Sequence, residues 1–480
     1  MNGSVKENKM GVMPVGKLLF SMSVPMMLSM LMQAFYNIVD SIFVAQISET
    51  GNELTALTLA FPLQSLMIAF GGGTMLGMNT LISKSLGRKD KESADRAAGT
   101  GLFLTVCTAL VFAFIGVFLS RPFFKVQTGI QEIIDFGTVY TTICLAGSIG
   151  IFGQFCFERM LQSTGRTMLS TVTQFTGALI NIILDPIFIF NKGDTLFGVF
   201  EMPLGLGLGV AGAAYATITG QIIAALMGLI FNIFFNPDVR LHIKNFRPHG
   251  PSVKEIYKVG SPSIIMQAVG SLTTFTLNQI LTNGFTELAA TVYGIYFKLQ
   301  SFIFMPVFGL NNGMIPIISY NYGAKQPDRV KKTIKISIIT AVSIMAAGYA
   351  VFLLAPELLL GMFNPTENML SMGINCLRLI GLSFIPAGFC IITISVTQAI
   401  GNPFFSLITS ACRQLVVLIP AAWLLSLTGH LWAVWLAFPL AEIASLTLSV
   451  IFLASTMKTA NREMSVQNYE RGTMSHPKNA

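Results

Sequence analysis

Charge is what this sequence has least of: Asp, Glu, Lys and Arg together make up only 11% of its 480 residues. An apolar share of 53% leaves more surface than a soluble exterior with so few charges can cover. Lipid is therefore the solvent. Histidine is scarcer still, and His242, His249, His430 and His476 lie scattered through loops and the tail. No zinc motif or catalytic triad can be assembled from them. The six cysteines (Cys107, Cys144, Cys156, Cys376, Cys390, Cys412) sit in apolar segments without CxxC spacing, as small packing residues do. The chain lacks a GxxxxGK[ST] loop and any soluble nucleotide domain, which excludes a primary pump. Gly207 to Gly212 satisfies GxGxxG, but it opens an apolar span with no strand before it, so a dinucleotide site is not expected.

What the chain has is long apolar runs. A hydrocarbon core needs roughly 20 apolar residues per helix. Such runs are predicted at 17–46, 55–82, 97–119, 132–157, 167–190, 209–235, 256–282, 288–318, 334–355, 367–397, 404–428 and 431–457. The first run is too long for a cleaved signal and has no small-residue cleavage site behind it, so it reads as span 1. Lysine and arginine in the short loops set the orientation. With the N-terminus cytoplasmic, the inner segments hold Lys6, Lys9, Lys17, Lys84, Arg88, Lys89, Lys91, Arg96, Arg166 and Arg240. They also hold Lys244, Arg247, Lys254, Lys258, Lys325, Arg329, Lys331, Lys332, Lys335, Lys458, Arg462, Arg471 and Lys478. The outer loops receive only Arg121, Lys125 and Lys192. Both termini are thus expected inside, and the net charge of +8 needs no nucleic acid partner.

The two halves superimpose at a shift near 236 residues. Gly77, Met78, Ile82, Ser83, Gly87 and Lys89 fall on Gly313, Met314, Ile318, Ser319, Gly323 and Lys325. Gln162 and Gly165 fall on Gln398 and Gly401, and a one-residue adjustment puts Pro25 on Pro262. An even number of spans per unit makes the repeats parallel, related by an axis along the membrane normal. The expected fold is an all-α polytopic membrane protein of twelve transmembrane helices in two six-helix bundles related by that pseudo-two-fold axis. The expected domains are a cytoplasmic segment (1–16), an N-lobe (17–235), a linker (236–253), a C-lobe (254–457) and a cytoplasmic tail (458–480). Parallel repeats of this kind are expected to enclose a binding cavity between the halves, which suits alternating access.

Three acids lie well inside the predicted spans: Asp40, Asp185 and Glu442. Burying a carboxylate in lipid is costly, so each is expected to face a cavity and serve a function. Asp40 and Asp185 sit at similar depth near the outer ends of spans 1 and 5. Tyr36 and Asn181 each lie four residues earlier on the same helical face, Asn37 flanks the first pair, and Thr217 in span 6 reaches a similar depth. Two carboxylates sharing a low-dielectric pocket need a proton or a small cation between them. The plainer alternative is a hydrogen-bond clamp holding spans 1 and 5 together. Pro25 and Pro186 mark places where a helix can bend.

Lys298, Arg378 and Glu442 each lie about ten residues from the outer end of their own spans, at 1.5 Å per residue a shared level, and are expected to form an ion-paired C-lobe network. Arg413 reads as a residue entering from the cytoplasmic end of span 11. The 38 Phe and 25 Met suit a deformable cavity, although ordinary packing accounts for most of them.

Six stretches stand out: SVPMMLSMLMQAFYNIVDSIFV, GMNTLISKSLGRKD, QSTGRTMLS, INIILDPIFIF, GVAGAAYATITGQ and YNYGAK. Together they resemble the multidrug and toxic compound extrusion family, and within it a MepA-like bacterial branch. The resemblance implies a V-shaped two-lobed exporter in the bacterial cytoplasmic membrane, driven by protons or sodium, with protons favoured here. It implies small amphipathic, often cationic substrates, a monomer in lipid, no cofactor and no enzymatic activity. Tyr36, Asp40, Asn181 and Asp185 match the polar N-lobe set by which such relatives bind the coupling ion, with Thr217 a looser match and sodium the alternative ion at Asp40, Asn181 and Asp185. The C-terminal half has neutral Asn278 and Gln279 where some relatives carry acids in span 7. Two other classes fit these residues less well. A lipid-linked sugar flippase would line its cavity with many more basic residues, and a membrane-embedded enzyme would need a histidine motif at the surface.

The orientation is checked by labelling Asp194→Cys and Lys478→Cys with an impermeant thiol reagent in intact cells. The first should react and the second should stay unlabelled until the membrane is opened; the converse would invert the topology.

Overall fold

The computed structural model describes residues 8–47, 52–196, 200–363 and 365–474. Lys6, His476 and Lys478 lie outside the described residues, and of Asn37 only the backbone is described. The helices are α1 (Lys9–Val12), α2 (Val15–Ala45), α3 (Asn52–Gly87), α4 (Lys91–Gln127), α5 (Gln131–Ala146) and α6 (Ile149–Ser163). They continue as α7 (Thr167–Ile189), α8 (Val210–Phe235), α9 (Gly250–Gly284), α10 (Glu287–Gly323), α11 (Pro327–Leu354) and α12 (Pro356–Gly361). The last are α13 (Glu367–Gly381), α14 (Phe384–Ile400), α15 (Pro403–Ala411), α16 (Ile419–Ser426), α17 (Leu431–Trp435) and α18 (Ala437–Met474). A π-helical turn, Cys412–Leu418, joins α15 to α16. A hairpin of two short strands, β1 (Thr195–Leu196) and β2 (Phe200–Glu201), decorates the loop between α7 and α8.

Among the described residues ten helices are long and apolar enough to span a membrane, and the total is 12 when each of two bent pairs is taken as one span. The pairs are α5 with α6, bent by 41°, and α13 with α14, bent by 48°. They occupy equivalent places in the two repeats.

The duplication extends to individual hydrogen bonds. Arg88, Lys89 and Asp90 donate their amides to the carbonyls of Lys84, Leu86 and Ser85, and 236 residues on Ala324, Lys325 and Gln326 donate to Tyr320, Tyr322 and Asn321. Lys89 and Lys325 both sit in the left-handed region, at φ 62° and 60°. Side chains other than glycine rarely adopt it, and the loop hydrogen bonds hold both lysines there. Gly165 and Gly401 likewise close α6 and α14 with amides bonded to Gln162 and Gln398. In these two loops Gly87 packs on the Tyr320 carbonyl and Gly323 on the Lys84 carbonyl. A Cβ on either glycine would collide with backbone, so the contact is reciprocal and specific to glycine.

The chain divides into two compact units, residues 28–82 with 91–264, and residues 1–27 with 83–90 and 265–480. The division passes through α2 after Met27 and through α9 after Ile264, two residues beyond Pro25 and Pro262 respectively. In the first unit Gly73 of α3 meets Gly260 and Ile264 of α9, and in the second Gly309 of α10 meets Met26 and Met27 of α2. The Gly71–Gly73 run thus serves close helix packing at Gly73.

The second unit also fastens the N-terminal segment. Arg329 donates from Nη2 to the carbonyls of Met10 and Met13, each at 2.8 Å, and from Nε to Asn321 Oδ1 at 2.9 Å. Asn321, fully buried, donates in turn to Met10 O at 3.0 Å. Arg329→Leu should cost about 1–3 kcal/mol through the partners left unpaired. It should appear as a lower melting temperature in detergent and as faster proteolysis of the first residues. Unchanged melting and proteolysis would show that the clamp contributes nothing.

Candidate functional site

The polar residues of α7 recur on one face at helical spacing, from Ser170 through Gln174 and Asn181 to Asp185. Pro186 follows immediately and lies four residues from the C-cap Phe190, near the C-terminal end of the helix. Asp185 is fully buried and Asn181 nearly so. Asn181 Nδ2 donates to Asp185 Oδ1 at 3.1 Å, the bond expected one turn apart, and approaches Thr217 Oγ1 of α8 at 3.4 Å. Asp40 of α2 lies within electrostatic reach of Asp185, and Tyr36, one turn earlier, within reach of both. Asn181, Asp185 and Thr217 thus meet, with Asp40 and Tyr36 within electrostatic reach of Asp185; the sequence placed the two aspartates at similar depth, with Tyr36 and Asn181 one turn deeper.

Three oxygens of this cluster, Asp40 Oδ1, Asp185 Oδ2 and Asn181 Oδ1, are shielded from solvent and accept no hydrogen bond. Ionised carboxylate and amide oxygens are acceptors only, so a proton or a cation is what such a set can take up. Among the described residues no three His, Cys, Asp or Glu side chains gather as a metal cluster. Sequence reasoning missed two neighbours, Tyr140 and Cys144 of α5, both within electrostatic reach of Asp40. Gln64 Nε2 donates to the Tyr140 hydroxyl at 3.2 Å. Neither residue is charged, so depth alone could not single them out.

A larger omission is Glu158. The apolar run ends at Phe157, and the predicted span stopped there. Helix α6 continues to Ser163, and Glu158 is buried because its carboxylate has partners inside the protein. Its Oε1 accepts from Gln154 Nε2 at 2.9 Å and from Thr173 Oγ1 of α7 at 3.4 Å. The adjacent charges Glu158-Arg159 at the edge of an apolar run were the signal.

The expected C-lobe network needs correction. Glu442 is buried, but its ion pair is with Arg413 at 3.2 Å, not with Lys298 or Arg378, which are both exposed. Depth fixed the level of these residues and left their direction around the helix open. Arg413 lies ten residues into the span that begins at Pro403, about 15 Å from its end. It stands in the π-helical turn, where the wider coil turns side chains away from the α-helical register. Glu442 Oε1 and Arg413 Nε remain without hydrogen bonds.

A duplicated bundle with membrane-length spans in both repeats is a membrane transporter architecture rather than an enzyme fold. Comparison with known proteins agrees: the MatE family model matches residues 25–187 and 262–424, one copy on each repeat, and the chain belongs to that family. The multidrug export protein MepA of Staphylococcus haemolyticus is 26% identical over 88% of this chain and 90% of its own length. A MATE crystallised in complex with MaL6 superimposes with a TM-score of 0.87 at 24% identity, over 96% of this chain and all of that one. An outward-facing multidrug resistance MATE family transporter of the MOP superfamily gives 0.86 at 24% identity with the same coverage.

The Arg413–Glu442 pair is tested by a double-mutant cycle. Glu442→Gln leaves Arg413, whose side chain is 35% exposed, with a buried edge unpaired. The expected loss is about 1–3 kcal/mol, at the low end for a buried pair because one partner is partly solvated. Adding Arg413→Met should restore part of the melting temperature, whereas adding Lys298→Met should not. Restoration by Lys298→Met alone would reinstate the original pairing.

Proposed function

We propose that this transporter exports small amphipathic, often cationic compounds from the cytoplasm by ion-coupled antiport and alternating access, with the proton as coupling ion. The observation that carries the reading is the Asp40–Asp185 cluster, two carboxylates in one buried neighbourhood with unused oxygens. Such a pair is stable in the bilayer only when a positive charge joins it. The printed role of the MepA relatives, multidrug export, supports the substrate class. Sodium is the alternative ion, because the same oxygens with Asn181 and Thr217 can cage a small cation.

Coupling follows from linkage. A proton or a substrate can shift the two-state equilibrium only by its differential affinity for the inward and outward states. Neutralising Asp40 removes the charge that constrains the outer half of α2, and Pro25 supplies a point in the same helix where bending costs less. The N-lobe would then change shape around its own ion site while the C-lobe, with its Arg413–Glu442 pair, holds its packing.

Asp40→Asn and Asp185→Asn, each checked for membrane expression, should lose gradient-driven efflux while binding of a cationic dye survives. The dependence of dye binding on pH should flatten in both. Gradient-driven transport retained in both variants would refute the site. A sodium-dependent, pH-independent wild type would replace the proton by sodium.

A further inference from the structure

The acids near the outer face leave a physical problem. A proton bound at Asp40 and Asp185 from outside has to reach the cytoplasm. Along α7 the distance from Asp185 to Thr173, which contacts the cytoplasmic half of α6, is 12 residues, or about 18 Å of helix. No single side chain spans that.

Polar groups occupy this stretch. Tyr36, half-buried one turn after Gln33, is within electrostatic reach of Asp40, Asp185 and Glu158, so it is a side chain that the outer acids and the inner one share. Gln33 accepts from Gln174 Nε2 of α7 at 3.4 Å. Below it Glu158 is held by Gln154 and Thr173. Arg159 Nη1 then donates to Gln162 Oε1 at 3.0 Å, and Gln162 Nε2 donates to Ser170 Oγ at 2.8 Å. Arg166 and Asp238 close the row with an ion pair at the cytoplasmic end. Glu158 lies five residues before the end of α6, about 8 Å from that end.

The surroundings of Glu158 are sparse in charge. Arg159 on its own helix and Tyr36 on α2 are the titratable groups that act on it. Helix α7 presents the hydroxyl of Thr173, and α8 presents Asn232, which bonds the Phe157 carbonyl at 2.9 Å. From α4, Thr105 faces the neighbouring Cys156. A buried carboxylate in such a setting, placed between a titrating site and the cytoplasmic surface, can accept and release one proton per cycle.

We propose that Glu158 is the inner proton station of the transport cycle. The proton leaves a carboxyl of the Asp40–Asp185 cluster, passes by way of Tyr36 and ordered water to the Glu158 carboxylate, and is released to cytoplasmic water past Gln162 and Arg166. The outer pair is left ionised for the next proton. This role rests on the reading of Asp40 and Asp185 as the coupling site and adds a residue to it. Glu158 is a positioning and relay residue, not a substrate contact.

The test uses the full-length protein in liposomes with ethidium, a planar monocation, as probe. Two rates are compared: efflux driven by a pH gradient, which needs proton release, and ethidium exchange at equal pH, which does not. Glu158→Gln should slow the driven efflux about tenfold or more, within the range that loss of a positioned proton-transfer group costs. Exchange should stay close to the wild-type rate, and Glu158→Asp should restore part of the driven efflux. Equal loss of both rates, unrelieved by Glu158→Asp, would mean a structural role and overturn the proposal. Wild-type driven efflux in Glu158→Gln, with Asp40→Asn inactive, would overturn the station and leave the outer coupling site standing. Driven efflux retained in Asp40→Asn would overturn the outer site itself. Should Glu158→Gln fail to reach the membrane, Glu158→Asp decides alone: slower driven efflux with intact exchange supports the relay, and parallel loss removes it.

Discussion

Inside a bilayer every polar group must find its partner within the protein, and this constraint orders the whole molecule. Hydrocarbon offers a carboxylate nothing, so an ionised acid at that depth survives only beside a cation, a proton or converging donors. Helix α7 meets the constraint along its polar face. Asn181 serves Asp185, Gln174 serves Gln33, Thr173 serves Glu158 and Ser170 serves Gln162. The apolar faces of the same helices need only pack, which Phe112, Leu145 and Phe152 do near α4, α5 and α6. The polar row is what those packed faces hold in place.

Duplication makes the specialisation of the two halves visible. At the repeat shift Asp40 corresponds to Leu277, Asp185 to Ala421 or Ala422, and Glu158 to Ile394. Leu277 and Ala422 are themselves buried, so those positions are interior in both repeats. The backbone, the left-handed lysines and the reciprocal glycines were kept, while the acids stand in one half alone. A duplicated frame needs its packing residues twice, since each half must fold. A buried carboxylate costs stability wherever it occurs, and packing alone does not require a second copy of it. The second half has instead Arg413 with Glu442, a charge pair closed within itself.

Depth was legible in the sequence and direction was not. Counting residues from a span end places Asp40, Asp185 and Glu442 at their levels, because a helix rises a fixed distance per residue. The i, i+4 rule then places Tyr36 and Asn181 beside their acids, and the structure brings those residues together. Glu442 shows the limit. Its level matched Lys298 and Arg378, but a level includes every direction around the bundle, and the π-helical turn gave the partnership to Arg413. Glu158 shows another limit. Hydropathy reads a charged residue as the end of a span, whereas a helix runs on wherever neighbouring helices satisfy the charge. The missing quantity in both cases is the identity of the neighbouring helix.

That neighbour is set by an exchange between the repeats. Helix α2 has its first half, Val15 to Met27, in one compact unit and its second half, with Tyr36 and Asp40, in the other. Helix α9 divides the same way after Ile264. The glycines of α3 and α10 admit these first halves at backbone contact, which fixes them far more tightly than side-chain packing would. Each helix is therefore held firmly at one end, and its proline stands close to the place where the hold changes. Only the second half of α2 carries a charge that a proton can remove, since α9 has Leu277 where α2 has Asp40. Both helices have the same joint, but only one of them has a titratable group beyond it. The asymmetry of the acids is thus an asymmetry between two helices with the same joint: beyond it α2 carries a titratable carboxylate and α9 a buried leucine.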